Sequence, residues 1–544
     1  MPDRGVVMVT TKSSARSRRW FAGVIVIGLL AGACGESKGK GESEATNDSS
    51  PSGEGDVDPD GVLRYAYDLE TGITNLDPAI SQNTCDKNIW TFVYDTLIVD
   101  AGNGKLEPHV ATAWEVTEAG KVVTLTLRDD VTYQDGTPLT AETVIDGLQY
   151  IQQNTNLTDI GHVVEFEAPD ATTVVLTLDD ARGNSLVAAL SGQDGMLVAP
   201  SAFGDAENHP VGAGPFTFES FERGQSLVLT RNPDYWDADS WKLGGIEFRQ
   251  AAFGPPSVQR YQADEVDVAK FLGDSYEVAT KLPDSKVGTA LAGQYAQLEF
   301  RQTSQQNGDT PFKDVRVRQA VSHAINRDEI NEKVENGLGE VTWQHFNSDS
   351  PYHADEFDER YPYDPERARE LLAEAGYPDG FEFTMVIPGG VQNMENQGAI
   401  VQAQLAEVGI TANIERSLPT NIAIEYYIQK KGAMFSAQEL AVTFAPGMYS
   451  QWATGEFVAI HDGAEDAELT RLRDEAYAAA TDEELAAVMA EAEEYSIANA
   501  LDVPIYHSPQ YMVWNTERVG GTPVTPADSC TPIGLEGVYM IDQG

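Results

Sequence analysis

Two hydrophobic periodicities follow one another along this chain, and together they restrict its fold. In the first half, Val123, Leu125 and Leu127 alternate with Thr124 and Thr126. Val174, Leu176 and Leu178 alternate with polar residues after Thr173, and Leu227 and Leu229 repeat the pattern before Arg231. A period of two marks strands with one buried face. Asp135-Gly136 and Asn103-Gly104 are turn signals between such strands. In the second half the period lengthens. After Asp314, the residues Val317, Val321 and Ile325 recur every fourth place with Ala320 and Ala324 beside them, which is one face of a helix. Asp364-Pro365 reads as a helix start, with Ala368, Leu371, Leu372 and Ala375 facing inward, Gly376 ending the helix and Pro378 beyond. Thr481 with Glu484 opens a long Ala-rich helix. Strands mixed with helices, with no repeat period, indicate an α/β protein of more than one lobe. The 544 residues suggest about three or four domain-sized units.

The N-terminus reads as an address. Arg16, Arg18 and Arg19 precede an apolar run from Trp20 to Ala33. Basic residues, a short apolar stretch and small residues at its exit are signal-peptide anatomy. The run is shorter than the roughly 20 residues a membrane span needs. It ends Leu30-Ala31-Gly32-Ala33-Cys34. Small residues before a cysteine resemble a bacterial lipobox, with Cys34 the lipidated residue; Ala31 stands where Leu is usual. Ser17-Arg18-Arg19-Trp20-Phe21 also resembles a twin-arginine export signal. Residues 1–33 are thus expected to be a signal peptide. Residues 34–60, rich in Gly, Ser, Glu and Asp with Val57 the one sizeable apolar residue, are expected to be a flexible lipid-anchored tether. Such a chain has an end-to-end distance of about 30 Å. The body should be extracytoplasmic and held at the cell membrane.

Charge narrows the partners. Eighty-six Asp and Glu against 36 Lys and Arg give a net charge of −50, which repels phosphate backbones and excludes a nucleic-acid role. Three cysteines support neither a disulfide-rich scaffold nor a four-Cys zinc site. Cys85 and Cys530 either pair in an oxidising compartment or remain two buried thiols. A bond would stabilise by up to about 5 kcal/mol.

Several segments together resemble the family 5 extracellular solute-binding proteins, the receptors of peptide and nickel ABC importers. They are Leu76-Asp77-Pro78 with Tyr94-Asp95-Thr96-Leu97, the stretch Leu106-Glu107-Pro108-His109 to Val116, Leu127 to Val131, and Asp135-Gly136-Thr137-Pro138 to Glu142. Gly212-Ala213-Gly214-Pro215-Phe216, Asn232-Pro233-Asp234-Tyr235-Trp236, Val315 to Ala320 and Ala368 to Tyr377 follow in order. The aromatics Tyr235 and Trp236 should fix a loop against the core, and Arg316 and Arg318 should make ion pairs within a lobe.

The resemblance implies a two-lobed, periplasmic-binding-protein-like α/β fold of type II, in the large cluster with an extra subdomain in lobe I. Lobe I would be about 61–300 plus 505–544, with the subdomain near 100–208, and lobe II 301–504. Cys85 and Cys530 would then both fall in lobe I, which makes their disulfide geometrically sensible. A monomer would close on a peptide or other small polar organic solute and deliver it to the permease subunits of an ABC importer, without a cofactor and without chemistry. The ligand-binding residues implied by position are Asn83, Thr84, Gln193, Asp194, Arg301, Trp343, Gln344, Gln438, Glu439, Phe444, Tyr449 and Trp452. Where peptide receptors of the family carry an Asp for the peptide amine, Ala441 to Gly447 has no acid. Arg301 stands where Asn is common; its planar fork suits a carboxylate, or it pairs with a nearby acid. Two other readings stay open: a nickel or metal-chelate receptor using His345 and His353, and a ligand sensor without transport. An anchored hydrolase finds no nucleophile elbow, zinc helix or phosphate loop in this sequence.

Overall fold

The computed structural model describes residues 56–544 apart from 70–72, 74, 81–86, 102–104, 155–158, 253, 305–307, 419–420, 441–465, 480 and 524–533. Cys34, Cys85 and Cys530 lie outside the described residues, as do Asn103 and Gly104.

An 11-stranded mixed sheet runs through the described body. From one edge it takes the strands Ile410–Ser417, Phe381–Pro388, Met434–Leu440, Ser285–Phe300, Asp502–Asn515, Val268–Phe271, Val62–Tyr67, Gly245–Gln250, Ser226–Arg231 and Phe216–Glu222. The short strand Glu340–Val341 pairs with Asp502–Asn515 off this path. The two longest strands, Ser285–Phe300 and Asp502–Asn515, are antiparallel neighbours at the centre. Their pairing slips twice, between Leu291 and Tyr295 and between Ala296 and Gln297.

That slip falls where the hydrophobic core changes. Met512 and Trp514 belong to a core built from Leu63 through Val268 and Leu535. Ala296, Leu298, Phe300, Val503, Ile505 and Tyr506 belong to another, with the helix Val315–Ala324 and the strand Phe381–Pro388. The protein is therefore two-lobed, and two strands carry the chain between the lobes. The helices Ala467–Ala478 and Asp482–Asn499 add a smaller core with Tyr295 and Phe346. An antiparallel sheet of Ala111–Thr117, Val122–Leu127, Thr173–Leu178 and Val163–Asp170 forms the extra layer of the first lobe, covered by the helix Ala141–Asn154.

Local signals act as the sequence predicts. Val123, Leu125, Leu127, Val174, Leu176 and Leu178 are buried while their neighbours are not. Asp314 accepts from the Arg316 N–H, Asp364 from those of Glu366 and Arg367, and Thr481 from that of Glu484, each satisfying a free helix-start donor. Gly376 takes φ +92° past the helix Pro365–Glu374. Gly212 and Gly214 lie on the end of the helix Lys87–Tyr94: a Cβ at Gly212 would come within 2.4 Å of Tyr94 Cα, and one at Gly214 within 2.5 Å of the Phe92 carbonyl. The Gly-Ala-Gly stretch is thus a contact between backbones.

Two expectations need correction. Arg316 pairs with Asp314, as expected. Buried Arg318 instead donates to the carbonyls of Phe312, Asn499 and Ala500. It holds the end of the helix Asp482–Asn499, where Ala500 has a left-handed backbone that costs a non-glycine residue about 1–2 kcal/mol. Burial lowers its pKa to about 10 against the pull of Asp314. The stretch expected to be a flexible tether, 34–60, also reaches into the described body. Val57 and Asp58 pair with Ile541 and Met540, and the Arg231 side chain donates to the Pro59 carbonyl at 2.7 Å, so strand pairing and a side-chain hydrogen bond secure residues 57–59 to the body.

Candidate functional site

Where the long strands cross between lobes, the apolar pattern of Asp502–Asn515 is interrupted by His507 and Ser508, both buried. They belong to a buried polar seam. His345 sits at its centre. Its Nδ1 lies 2.9 Å from Glu493 Oε2 and its Nε2 2.9 Å from Asp502 Oδ2, with its backbone N–H donating to Glu493 Oε1 at 3.0 Å. All three residues are buried. Burial disfavours the imidazolium, yet Asp502 and then Glu493 outweigh it and hold the pKa up at about 10. Both ring nitrogens donate, so His345 has no lone pair left for a metal or for base catalysis.

Tyr295 on the facing strand lies between two histidine rings, 5.5 Å from His345 and 5.9 Å from His507. Neither nitrogen of His507 has a well-formed hydrogen bond among the described residues. Burial, then the charge of His345, lowers its pKa to about 3, so it is neutral. Further along, Tyr506 donates to Gln397 Oε1 at 3.1 Å, and Gln397 donates to Ser436 Oγ at 3.0 Å. Gln297 and Tyr427 both donate to Glu299 Oε1, at 3.2 and 3.0 Å.

The residues expected at the site fall in three groups. Asn83, Thr84, Phe444, Tyr449 and Trp452 lie outside the described residues. Gln438 and Glu439 are on the strand Met434–Leu440, their backbones opposite Ala296 and Tyr295 of the crossing strand. The remaining five are engaged with the protein. Asp194 is buried and accepts from the Ile160 N–H at 2.9 Å, while Gln193 donates to the Pro78 carbonyl. Arg301 is 2% exposed; its guanidinium lies 4.6 Å from the Tyr426 ring and donates to the Tyr427 carbonyl at 3.0 Å. Trp343 donates to the Tyr361 carbonyl at 2.9 Å and packs under Arg327. Gln344 is fully buried, its amide shared between Ala354 and Asp358.

Sequence reading missed the seam itself: Tyr295, Gln297, Glu299, Gln397, Glu493, Asp502, Tyr506 and His507. The one local signal was Tyr506-His507-Ser508 inside a strand otherwise rich in apolar residues.

Residues 105–457 match the bacterial extracellular solute-binding proteins, family 5 Middle. The chain belongs to that family. Its members are extracytoplasmic solute receptors of ABC importers, and the relatives found are binding proteins, not enzymes. The chain is 28% identical over 352 residues to the glutathione-binding protein GsiB of Shigella flexneri, covering 63% of this chain and 67% of that one. Among solved structures it is similar to the ABC transporter substrate-binding protein CtaP of Listeria monocytogenes, with a TM-score of 0.76 at 19% identity over 89% of this chain and 99% of that one. It is also similar to the periplasmic binding protein DppA of Helicobacter pylori in complex with the peptide STSA, with a TM-score of 0.69 at 22% identity over 89% and 98%. At these identities the structural likeness establishes the family's fold. No described helix is long and apolar enough to cross a membrane.

Proposed function

We propose that this receptor captures a short peptide or a similar small polar organic solute between its lobes and delivers it to a membrane permease. Lobe I is taken as about 61–300 plus 505–544 and lobe II as 301–504. The observation that carries this reading is the double slip in the pairing of the two crossing strands, at the place where one core gives way to the other. Irregular pairing at the only described sheet connection between two cores is where a hinge bends at least cost. Ligand favours the closed form because only there do both lobes touch it. Among relatives, GsiB is named for glutathione and DppA holds a tetrapeptide, which supports a small peptide-like cargo. The metal-chelate reading loses support, because His345 is enclosed by two carboxylates.

The test is mass spectrometry of small molecules released from the purified protein on denaturation. A single compound or a set of short peptides is expected. Added back at a hundred times its Kd, it should stabilise the protein by about 2.7 kcal/mol. Release of no compound, together with no thermal shift from glutathione or from di- to tetrapeptides, would reject the peptide-like cargo.

In the same reading Cys34 is the lipid anchor. Cys34→Ala should move the protein from the membrane fraction to the soluble one. A variant that stays with the membrane would contradict the anchor.

A further inference from the structure

The loop that follows the strand Glu340–Val341 brings His353, Asp355 and Asp358 together. The His353 side chain is 12% exposed. Its Nδ1 lies 3.1 Å from the Phe346 carbonyl oxygen, which can only accept, so Nδ1 carries the proton. That leaves Nε2 as the atom aimed at the two carboxylates. It stands 3.5 Å from Asp355 Oδ1 and 3.7 Å from Asp358 Oδ2.

These separations are long for hydrogen bonds, which cluster at about 2.7–3.2 Å. They suit ligand atoms around a shared cation. With metal–ligand bonds of about 2.0–2.2 Å, the edges of a tetrahedron are about 3.4 Å. All three ligand atoms lie within 4.8 Å of one another, on a chain of net charge −50 where neighbouring carboxylates otherwise repel.

The supporting contacts are also those of a ligand set. A ring nitrogen held by a backbone carbonyl fixes the tautomer and direction of a metal-binding histidine. The other oxygen of Asp358 accepts from Gln344 Nε2 at 2.8 Å. Gln344 is fully buried and clamps both backbone groups of Ala354, at 3.1 Å each, so it fixes the segment from His353 to Asp358 as well as the carboxylate. Both carboxylates are exposed, Asp355 fully, so they close the set from the solvent side of His353. The only other such cluster among the described residues, His162 with Asp179 and Asp180, differs. There His162 Nδ1 is already within hydrogen-bond distance of Asp179, at 3.1 Å, and that hydrogen bond accounts for the arrangement.

We propose that His353 Nε2, Asp355 and Asp358 bind a resident divalent transition-metal cation. One imidazole and two carboxylates, with water completing the shell, favour Zn2+, Co2+ or Ni2+ over Ca2+ or Mg2+. The ion would tie down the loop that carries His345, and the proposal does not rest on the cargo reading.

The full chain is stripped with EDTA, dialysed and titrated with Zn2+ and with Co2+. Bound metal is measured by equilibrium dialysis, and Co2+ coordination by its visible absorption. One equivalent is expected, with a melting temperature that rises with Zn2+. His353→Ala should weaken binding by at least a hundred-fold and abolish the thermal shift, and Asp358→Asn should weaken it ten-fold or more. His162→Ala should change neither. A His353→Ala melting temperature equal to that of the stripped wild type would show that lost binding is not lost folding. Absence of saturable binding, or one-equivalent binding that survives His353→Ala, overturns the site.

Discussion

Replacing His345 by glutamine is expected to destabilise the folded chain by about 3–5 kcal/mol, the range seen when one partner of a buried ion pair is removed. Glu493 is fully enclosed and Asp502 nearly so, and both direct an oxygen at the imidazole. Without the cation they become two buried like charges. The pH dependence identifies the cause. His345 has its pKa raised from 6.5 to about 10, so its stabilisation is complete below pH 6.5 and is lost as pH rises through 10. His507 acts in the opposite sense. Its pKa is lowered from 6.5 to about 3, so stability falls as pH drops from 6.5 toward 3. The pair should place an optimum near pH 6–7. Urea unfolding across pH 4–10 should show the alkaline limb flattened in His345→Gln and the acid limb flattened in His507→Gln. A His345→Gln variant that keeps wild-type stability and the same alkaline limb would refute this assignment.

Asp95→Ala should destabilise the first lobe by a similar amount, about 3–5 kcal/mol. The side chain is buried and receives four donors: the Thr96 N–H at 2.8 Å, His109 Nε2 at 2.6 Å, the Tyr235 hydroxyl at 2.9 Å and the Trp236 indole at 3.3 Å. It is held in place by a left-handed backbone, φ 61°, directly after the helix Lys87–Tyr94. Burial works against a charged His109, but the Asp95 carboxylate and its hydrogen bond raise the histidine's pKa overall. Arg128 stacks on Trp236 at 4.0 Å. Truncation leaves these donors buried around a void, so the near-ultraviolet signal of Trp236 should broaden along with the loss in urea midpoint. Asp95→Asn keeps the shape but turns an N–H donor toward other donors, and should recover only part of the loss. An Asp95→Ala protein with a wild-type midpoint would show that the four donors have other partners.

This hub explains why scattered family stretches occur together. Tyr94-Asp95-Thr96-Leu97, the stretch containing His109 and the one ending Tyr235-Trp236 converge on the Asp95 carboxylate, and the one beginning Leu127-Arg128 covers it by stacking on Trp236. Their order in the chain was legible from the sequence. Their convergence was not, because it depends on contacts across as many as 141 residues. The same division runs through the fold. Period-two strands and capped helices were readable because a single turn of chain contains their cause. Arg318 was misjudged because side-chain donation to a distant helix end leaves no local pattern. The crossing strands Ser285–Phe300 and Asp502–Asn515 find each other across some 200 residues, so the seam of His345, Tyr295 and His507 has no footprint beyond three polar letters in a buried strand. Asp194 and Gln344, expected as ligand contacts, also hydrogen-bond to backbone groups of distant or neighbouring loops, a role that no local pattern announces.

The central claim is a receptor that closes on its solute by bending at the crossing strands. The most direct test is small-angle X-ray scattering of the purified protein, with and without the compound recovered from it, at saturating concentration. A smaller radius of gyration is expected with ligand bound, at one ligand per chain. An unchanged scattering profile at confirmed saturation, starting from ligand-free protein, would contradict it.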